Sequence, residues 1–166
     1  MRSTFWMVVT VLVLAPSAVF AQQGAADGEW PSFAGDLGST KYSGLDQIDA
    51  DNVDALRVAW TRPLVDPSYL AMNPELRFGS VSTSAPVVVD GVGYVPNAIG
   101  LVEAFDIGTG ETLWAQQPFG GADDLRGTGT RGVAYWTDGT DARILAQRGE
   151  YLYALDPETG ETFDDF

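Results

Sequence analysis

Ala104-Phe105-Asp106-Ile107-Gly108-Thr109-Gly110-Glu111-Thr112 and Ala154-Leu155-Asp156-Pro157-Glu158-Thr159-Gly160-Glu161-Thr162 are one short phrase written twice, and its reading decides the fold. The offset is 154 minus 104, or 50 residues. A period of that length is the size of a four-stranded propeller blade. In each copy a strand ends at the Asp, whose carboxylate can accept backbone N–H groups of the turn, while the Gly takes a left-handed conformation that L-residues avoid. Trp114 extends the first copy to A-x-D-x-x-T-G-x-x-x-W, placing an aromatic where it can lie flat against the next blade. The second copy has Asp164 at that position, so its interface must be closed differently or the frame shifts near Phe163 and Phe166.

Outward from the repeat the chain reads as short strands. Residues 85–96, APVVVDGVGYVP, are two β-rich runs split by Asp90-Gly91, a strong hairpin signal. Leu101 to Phe105 pairs with Thr112 to Gln116, and Arg143 to Gln147 with Tyr151 to Leu155. Arg57 to Trp60 alternates polar and apolar and is expected to begin the first strand, after a single helical turn over Asp51 to Leu56. Almost nothing beyond residue 60 has helical periodicity. The expected fold class is therefore all-β, a β-propeller fragment with about two blade-like units of antiparallel strands. A ring needs roughly four or more blades, and the sequence stops at GETFDDF just after a turn motif, so residues 30–166 are read as an incomplete propeller. A small β-sandwich is the alternative, since its strands look similar one by one.

At the other end, Arg2 precedes the apolar run FWMVVTVLVLA, and Val19 and Ala21 fit the small positions before a cut. This is a secretory signal pattern, expected over residues 1–21. The run is shorter than the ~20 residues of a membrane helix, which makes an uncleaved anchor the second choice. Residues 22–29 read as a flexible lead-in. The mature protein is expected in the periplasm or secreted, with no internal transmembrane segment.

Composition narrows the chemistry. Nine Lys plus Arg against 23 Asp plus Glu give a formal net charge of -14, a poor surface for nucleic acid or anionic lipid. The sequence has no Cys and no His, which removes thiolate nucleophiles, disulfides, imidazole acid–base chemistry and His- or Cys-ligated metals. Any chemistry falls to carboxylates, carbonyls, Arg or a bound cofactor. Asp123 and Asp124 form a tempting pair, but in a Gly-rich loop they read as solvated.

Taken together, GDLGSTKYSGLDQI with DNVDALRVAW, SAPVVVDGVGYV, the Ala104 to Trp114 motif, TRGVAYW (Thr130 to Trp136) and YLYALDPETGE resemble the N-terminal part of pyrroloquinoline quinone (PQQ)-dependent alcohol and glucose dehydrogenases. The resemblance implies an eight-bladed quinoprotein propeller, with PQQ over Ca²⁺ near the axis and oxidation of an alcohol or sugar hydroxyl in the periplasm. Electrons would pass to a respiratory acceptor such as cytochrome c or ubiquinone. By this resemblance Arg131 matches an arginine that contacts the cofactor. Its guanidinium suits a partner with three carboxylates. Thr83 stands where many alcohol-oxidising members have a glutamate bonding to PQQ, and Thr130 where an asparagine is frequent. Gly129, with Gly127 and Thr128, offers sparse side chains against a flat ring system. Many alcohol dehydrogenases of the family place two adjacent cysteines over PQQ, and DLRGTGTRG stands there instead. The catalytic base and the calcium ligands are supplied mainly by later blades, so no catalytic or metal residue is assigned and residues 1–166 alone are expected to be inactive. Two other classes stay open: a non-enzymatic propeller for envelope protein assembly or scaffolding, and a carbohydrate-binding β domain using Trp30, Tyr135 and Trp136.

Overall fold

The computed structural model describes residues 24–125 and 130–166. The expected signal segment and Gly129 lie outside these residues. Strands β1 (Val87–Val89), β2 (Val92–Pro96), β3 (Val102–Asp106) and β4 (Thr112–Ala115) form one antiparallel sheet in chain order. Strands β5 (Val133–Thr137), β6 (Ala142–Arg148) and β7 (Tyr151–Leu155) form a second. A bridge from Leu155 to Thr162, with the Phe163 N–H donating to the Ala154 carbonyl at 2.9 Å, begins a fourth position in that sheet. These are two blade-like units in an unclosed arrangement, as the repeat predicts.

The local chemistry explains the turns. Asp90 and Gly91 have φ of 51° and 78°, the doubly positive pair that a two-residue hairpin needs. In the repeat, Asp106 Oδ1 accepts from the Gly108 and Thr109 N–H groups, and Asp156 Oδ1 from those of Glu158 and Thr159. The Thr109 N–H is the main reason the Asp106 carboxyl sits below its ordinary pKa. Gly110 and Gly160 adopt φ of 76° and 73°. The TRGVAYW stretch supplies β5, a strand the hairpin pattern leaves out because its partner β6 follows a four-residue connection rather than a tight two-residue turn.

One face of each sheet meets the other. Val87, Tyr94, Val102 and Ala104 pack with Val133, Ile144, Ala146 and Leu155 in one buried cluster. Each large side chain buried there contributes at most ~1.5–3 kcal/mol. Trp114 completes the contact. It leaves β4, donates from Nε1 to the Pro157 carbonyl at 2.8 Å, and lies so close to Gly160 that a Cβ there would come within 2.4 Å of its ring.

Trp60 repeats this arrangement one unit earlier, donating to the Ile107 carbonyl at 2.9 Å and covering Gly110, where a Cβ would come within 2.7 Å. The expected strand over Arg57 to Trp60 is not formed. That segment has no neighbouring strand to pair with among the described residues, and it is held by its indole instead. At the second copy Asp164 is exposed, and Phe163 packs beneath the Arg143 guanidinium at 4.3 Å.

The chain also makes helical turns. A 3-10 turn at Val53–Ala55 matches the expected one. An unexpected helix, α1 (Pro67–Met72), is too short to show a period but carries a readable start: Asp66 accepts from the Ser68 N–H and Pro67 fills the first turn. Tyr69 of α1 is fully buried in a second cluster with Val65, Leu76, Ile99, Leu101 and Leu125 and donates its hydroxyl to the Gln116 carbonyl. Beside it, Glu103 is buried and fully occupied. One oxygen takes the Asp66 N–H and Asn97 Nδ2 at 2.8 and 2.9 Å, and the other takes Arg62 at 2.8 Å. Partial burial works against the Asp66 charge, but hydrogen bonds from Ser68 and Thr112 and the Arg62 charge outweigh it and lower its pKa. Among the described residues no helix is long and apolar enough to cross a membrane.

Candidate functional site

Because both sheets run outward in chain order, their first strands β1 and β5 stand at the same edge, and the residues leading into them meet. Ala85 and Gly132 form a parallel bridge, the Ala85 N–H donates to the Arg131 carbonyl at 3.2 Å, and Ser84 Oγ donates to the Thr130 carbonyl at 2.7 Å. Three of the four site residues suggested by the resemblance, Thr83, Thr130 and Arg131, therefore lie on two adjoining segments at one end of the sheets. Thr83 and Arg131 are exposed and Thr130 is half-buried.

Thr130 and Arg131 line an open cleft of about 890 Å³, together with Phe33, Gly132, Ala134, Leu145, Gln147 and Leu152. Thr83 does not line it. Ala134, Leu145 and Leu152 belong to the face of the second sheet turned away from the first, the face a following blade would cover, so it is the rim with Thr130 and Arg131 that is polar. Arg131 is the only charged group among its described lining residues, although the chain carries a net charge of -14. A rim with one guanidinium, one hydroxyl and no carboxylate favours an anionic ligand.

The N-terminal segment supplies the remaining wall. The free edge of β1 is taken by Trp30, which exchanges both backbone hydrogen bonds with Val88 at 2.9 Å. The Glu29 carboxylate accepts from the Asp90 N–H at 3.0 Å, and Ala25 is buried and bonded to the Tyr42 carbonyl. A turn closed by the Gly35 N–H on the Ser32 carbonyl then carries Phe33 to the cleft, where its ring lies 3.4 Å from a Cβ built on Gly132. Nothing in the motif pattern points to Phe33; it becomes visible only once the edge pairing of Trp30 is known.

The same residues test the implied cofactors. The cationic rim fits a polyanion such as PQQ. Calcium has no such match here. Among the described residues no group of three carboxylates could hold an ion, and Asp123 is an exposed residue of a 3-10 turn.

The architecture defines a class: a blade-built β protein whose segments leading into the first strands meet at one edge. Residues 30–166 match the family model described as PQQ: Glucose/ethanol/alcohol dehydrogenase, beta-propeller domain, and the chain belongs to that family. It is 35% identical over 176 residues to the quinohemoprotein alcohol dehydrogenase of Comamonas testosteroni, covering 89% of this chain and 22% of that protein. It is 37% identical over 94 residues to the 1-butanol dehydrogenase (cytochrome c) of Thauera butanivorans, covering 57% of this chain and 12% of the relative. The crystal structure of the Comamonas enzyme superposes with a TM-score of 0.60 at 32% identity, over 81% of this chain and 18% of that one. The chain thus spans less than a quarter of the length of these relatives.

Proposed function

We propose that these residues form the first blades of an exported PQQ-dependent dehydrogenase that oxidises an alcohol, and that Arg131 and Thr130 hold a carboxylate edge of the quinone. The observation that carries this reading is that, among the described residues lining the cleft, Arg131 is the one charged group and no carboxylate stands beside it, in an otherwise strongly acidic chain. The names of the relatives support alcohol as the substrate class and cytochrome c as acceptor. When bound, PQQ supplies the redox chemistry by accepting a hydride equivalent from the hydroxyl-bearing carbon.

This chain's own part is binding and orientation. Arg131 can offer two parallel N–H donors to one carboxylate, fixing the plane as well as neutralising the charge. The Thr130 carbonyl is occupied by Ser84 and the Arg131 carbonyl by Ala85, so the backbone that carries the guanidinium is held from the first sheet. Thr83, outside the cleft lining, is proposed to offer a hydroxyl to the cofactor from the adjoining segment, adding no charge. Gly129 is proposed to lie against the ring. Residues 1–21 are proposed as a cleaved signal delivering the protein to the periplasm or exterior.

The test uses the whole natural protein carrying these residues, freed of cofactor. PQQ is titrated by intrinsic fluorescence, and turnover of an alcohol panel is followed with an artificial acceptor, with and without PQQ and Ca²⁺. R131Q is expected to weaken PQQ binding about ten- to a hundredfold, the worth of one hydrogen bond to a charged group. Equal affinity in R131Q and wild type would remove Arg131 from the site, and turnover independent of PQQ would remove the enzyme reading.

A further inference from the structure

We infer that Ser84 is a positioning residue for the Arg131 site, its hydroxyl fixing the backbone from which the guanidinium springs; this rests on the PQQ reading above. Ser84 Oγ donates to the Thr130 carbonyl at 2.7 Å, across the junction of the two sheets, from a half-buried position. That carbonyl belongs to the same peptide plane as the Arg131 N–H. The next plane along the chain is held as well, by the Ala85 N–H on the Arg131 carbonyl at 3.2 Å. The two planes that meet at Arg131 Cα are thus pinned by consecutive residues of the first sheet's lead-in, and together they set the direction of the Arg131 Cα–Cβ bond.

The two partners of the Ser84 bond are not equally secure. On the donor side Ala85 precedes Pro86, which restricts it to extended backbone, and Val87 is fully buried in the core between the sheets. Ser84 is therefore presented from a stiff, anchored segment. On the acceptor side Val133 enters the same core, but the sequence before Thr130 is Gly127-Thr128-Gly129, and glycine gives the backbone its widest conformational choice. The Ser84 bond lies one residue closer to those glycines than the Ala85 bond does. Without it the Thr130 carbonyl is free to turn, and its peptide plane carries Arg131 Cα with it. A guanidinium that must meet a carboxylate through two parallel bonds depends on direction as well as charge. Any residue but proline could supply the backbone bond of Ala85, whereas the hydroxyl is particular to Ser84.

The experiment measures PQQ affinity of the whole apo protein by fluorescence titration and equilibrium dialysis for wild type, S84A, S84T, R131Q, the S84A/R131Q double variant and the control T137V. Thr137 makes the same kind of bond at the same length, its Oγ1 donating to the Asp141 carbonyl at 2.7 Å, but at the far end of β5. S84A is expected to weaken PQQ about three- to tenfold, the range of one neutral hydrogen bond. S84T keeps the hydroxyl and should bind as wild type does, and T137V should not change affinity. In the R131Q background the S84A loss should vanish, because the hydroxyl acts through the guanidinium, whereas a general loosening of the fold would carry over undiminished. Wild-type affinity in S84A, a matching loss in S84T or T137V, or the same S84A loss in both backgrounds would overturn the inference while R131Q itself still weakens binding. Unchanged affinity in R131Q would instead remove the Arg131 reading on which the inference rests.

Discussion

Adding one methyl group at Gly160 is expected to separate two costs that ordinarily travel together. Gly160 has φ 73°, so G160A incurs about 1–2 kcal/mol for a left-handed L-residue. Its new Cβ would also stand 2.4 Å from the Trp114 ring, and overpacking of that kind costs about 1–3 kcal/mol. The sum is about 2–5 kcal/mol. Gly91, at φ 78° with nothing within 4 Å of its Cβ position, is the matched control, and G91A should cost only the backbone part, about 1–2 kcal/mol. The assay is equilibrium urea unfolding of the whole protein, with amide exchange at Gly160 and Glu161 as the local reading. In a W114A background the steric part vanishes, so G160A should fall to the cost of G91A, leaving a coupling of about 1–3 kcal/mol in the double-mutant cycle. Equal costs for G160A and G91A in the wild-type background, or no coupling to Trp114, would refute the idea that indole-on-glycine contact locks the two sheets.

Glu103 and Arg62 form a pair with only 2% and 11% of their side chains exposed, so E103A should destabilise by about 3–5 kcal/mol, measured by chemical denaturation, because it leaves a buried guanidinium and two backbone or amide donors without their acceptor. The Tyr94 phenol is pushed up to about 12, first by burial and then by Tyr135 and the carboxylates of Asp90, Asp156 and Glu158. Its folded pKa lies above the unfolded value of 10.0, so the folded state holds the proton longer. The associated stability is complete below pH 10 and is lost as pH rises from 10 to 12; Y94F should abolish that part of the decline in a pH series of unfolding midpoints.

The repeated phrase was the most legible feature, because an Asp-anchored turn with a left-handed glycine depends on its own residues and can be read wherever it occurs. The Asp90-Gly91 hairpin was legible for the same reason. Trp114 was readable as a docking residue, but Trp60 was not, because its role depends on a glycine 50 residues away and its own segment looks like a strand. Alternation at Arg57 to Trp60 suggests a half-covered strand, but only Trp60 is covered, through its indole contact, and Val58 stays exposed. Helix α1 escaped since six residues cannot display a 3.6-residue period; Asp66-Pro67 was its only signal. At the site, Arg131 and Thr130 stood out through the TRGVAYW motif, whereas Phe33 and the Ser84 and Ala85 supports depend on edge pairing between distant segments, which no local pattern encodes.

The indole contacts give the molecule a direction. Trp60 closes on the turn at Gly110, and Trp114, one unit later, closes on the turn at Gly160. The key for each lock is thus carried by the preceding unit, and a unit becomes complete when its upstream neighbour is in place. Order should then spread down the chain like a zip fastener. A circular permutant opened between β4 and β5 would leave Trp114 at the last residues of the chain and put Gly160 in the unit, β5 to β7, that now opens it. Its folding would depend on the ends finding each other, whereas an opening inside either hairpin would spare the fastening.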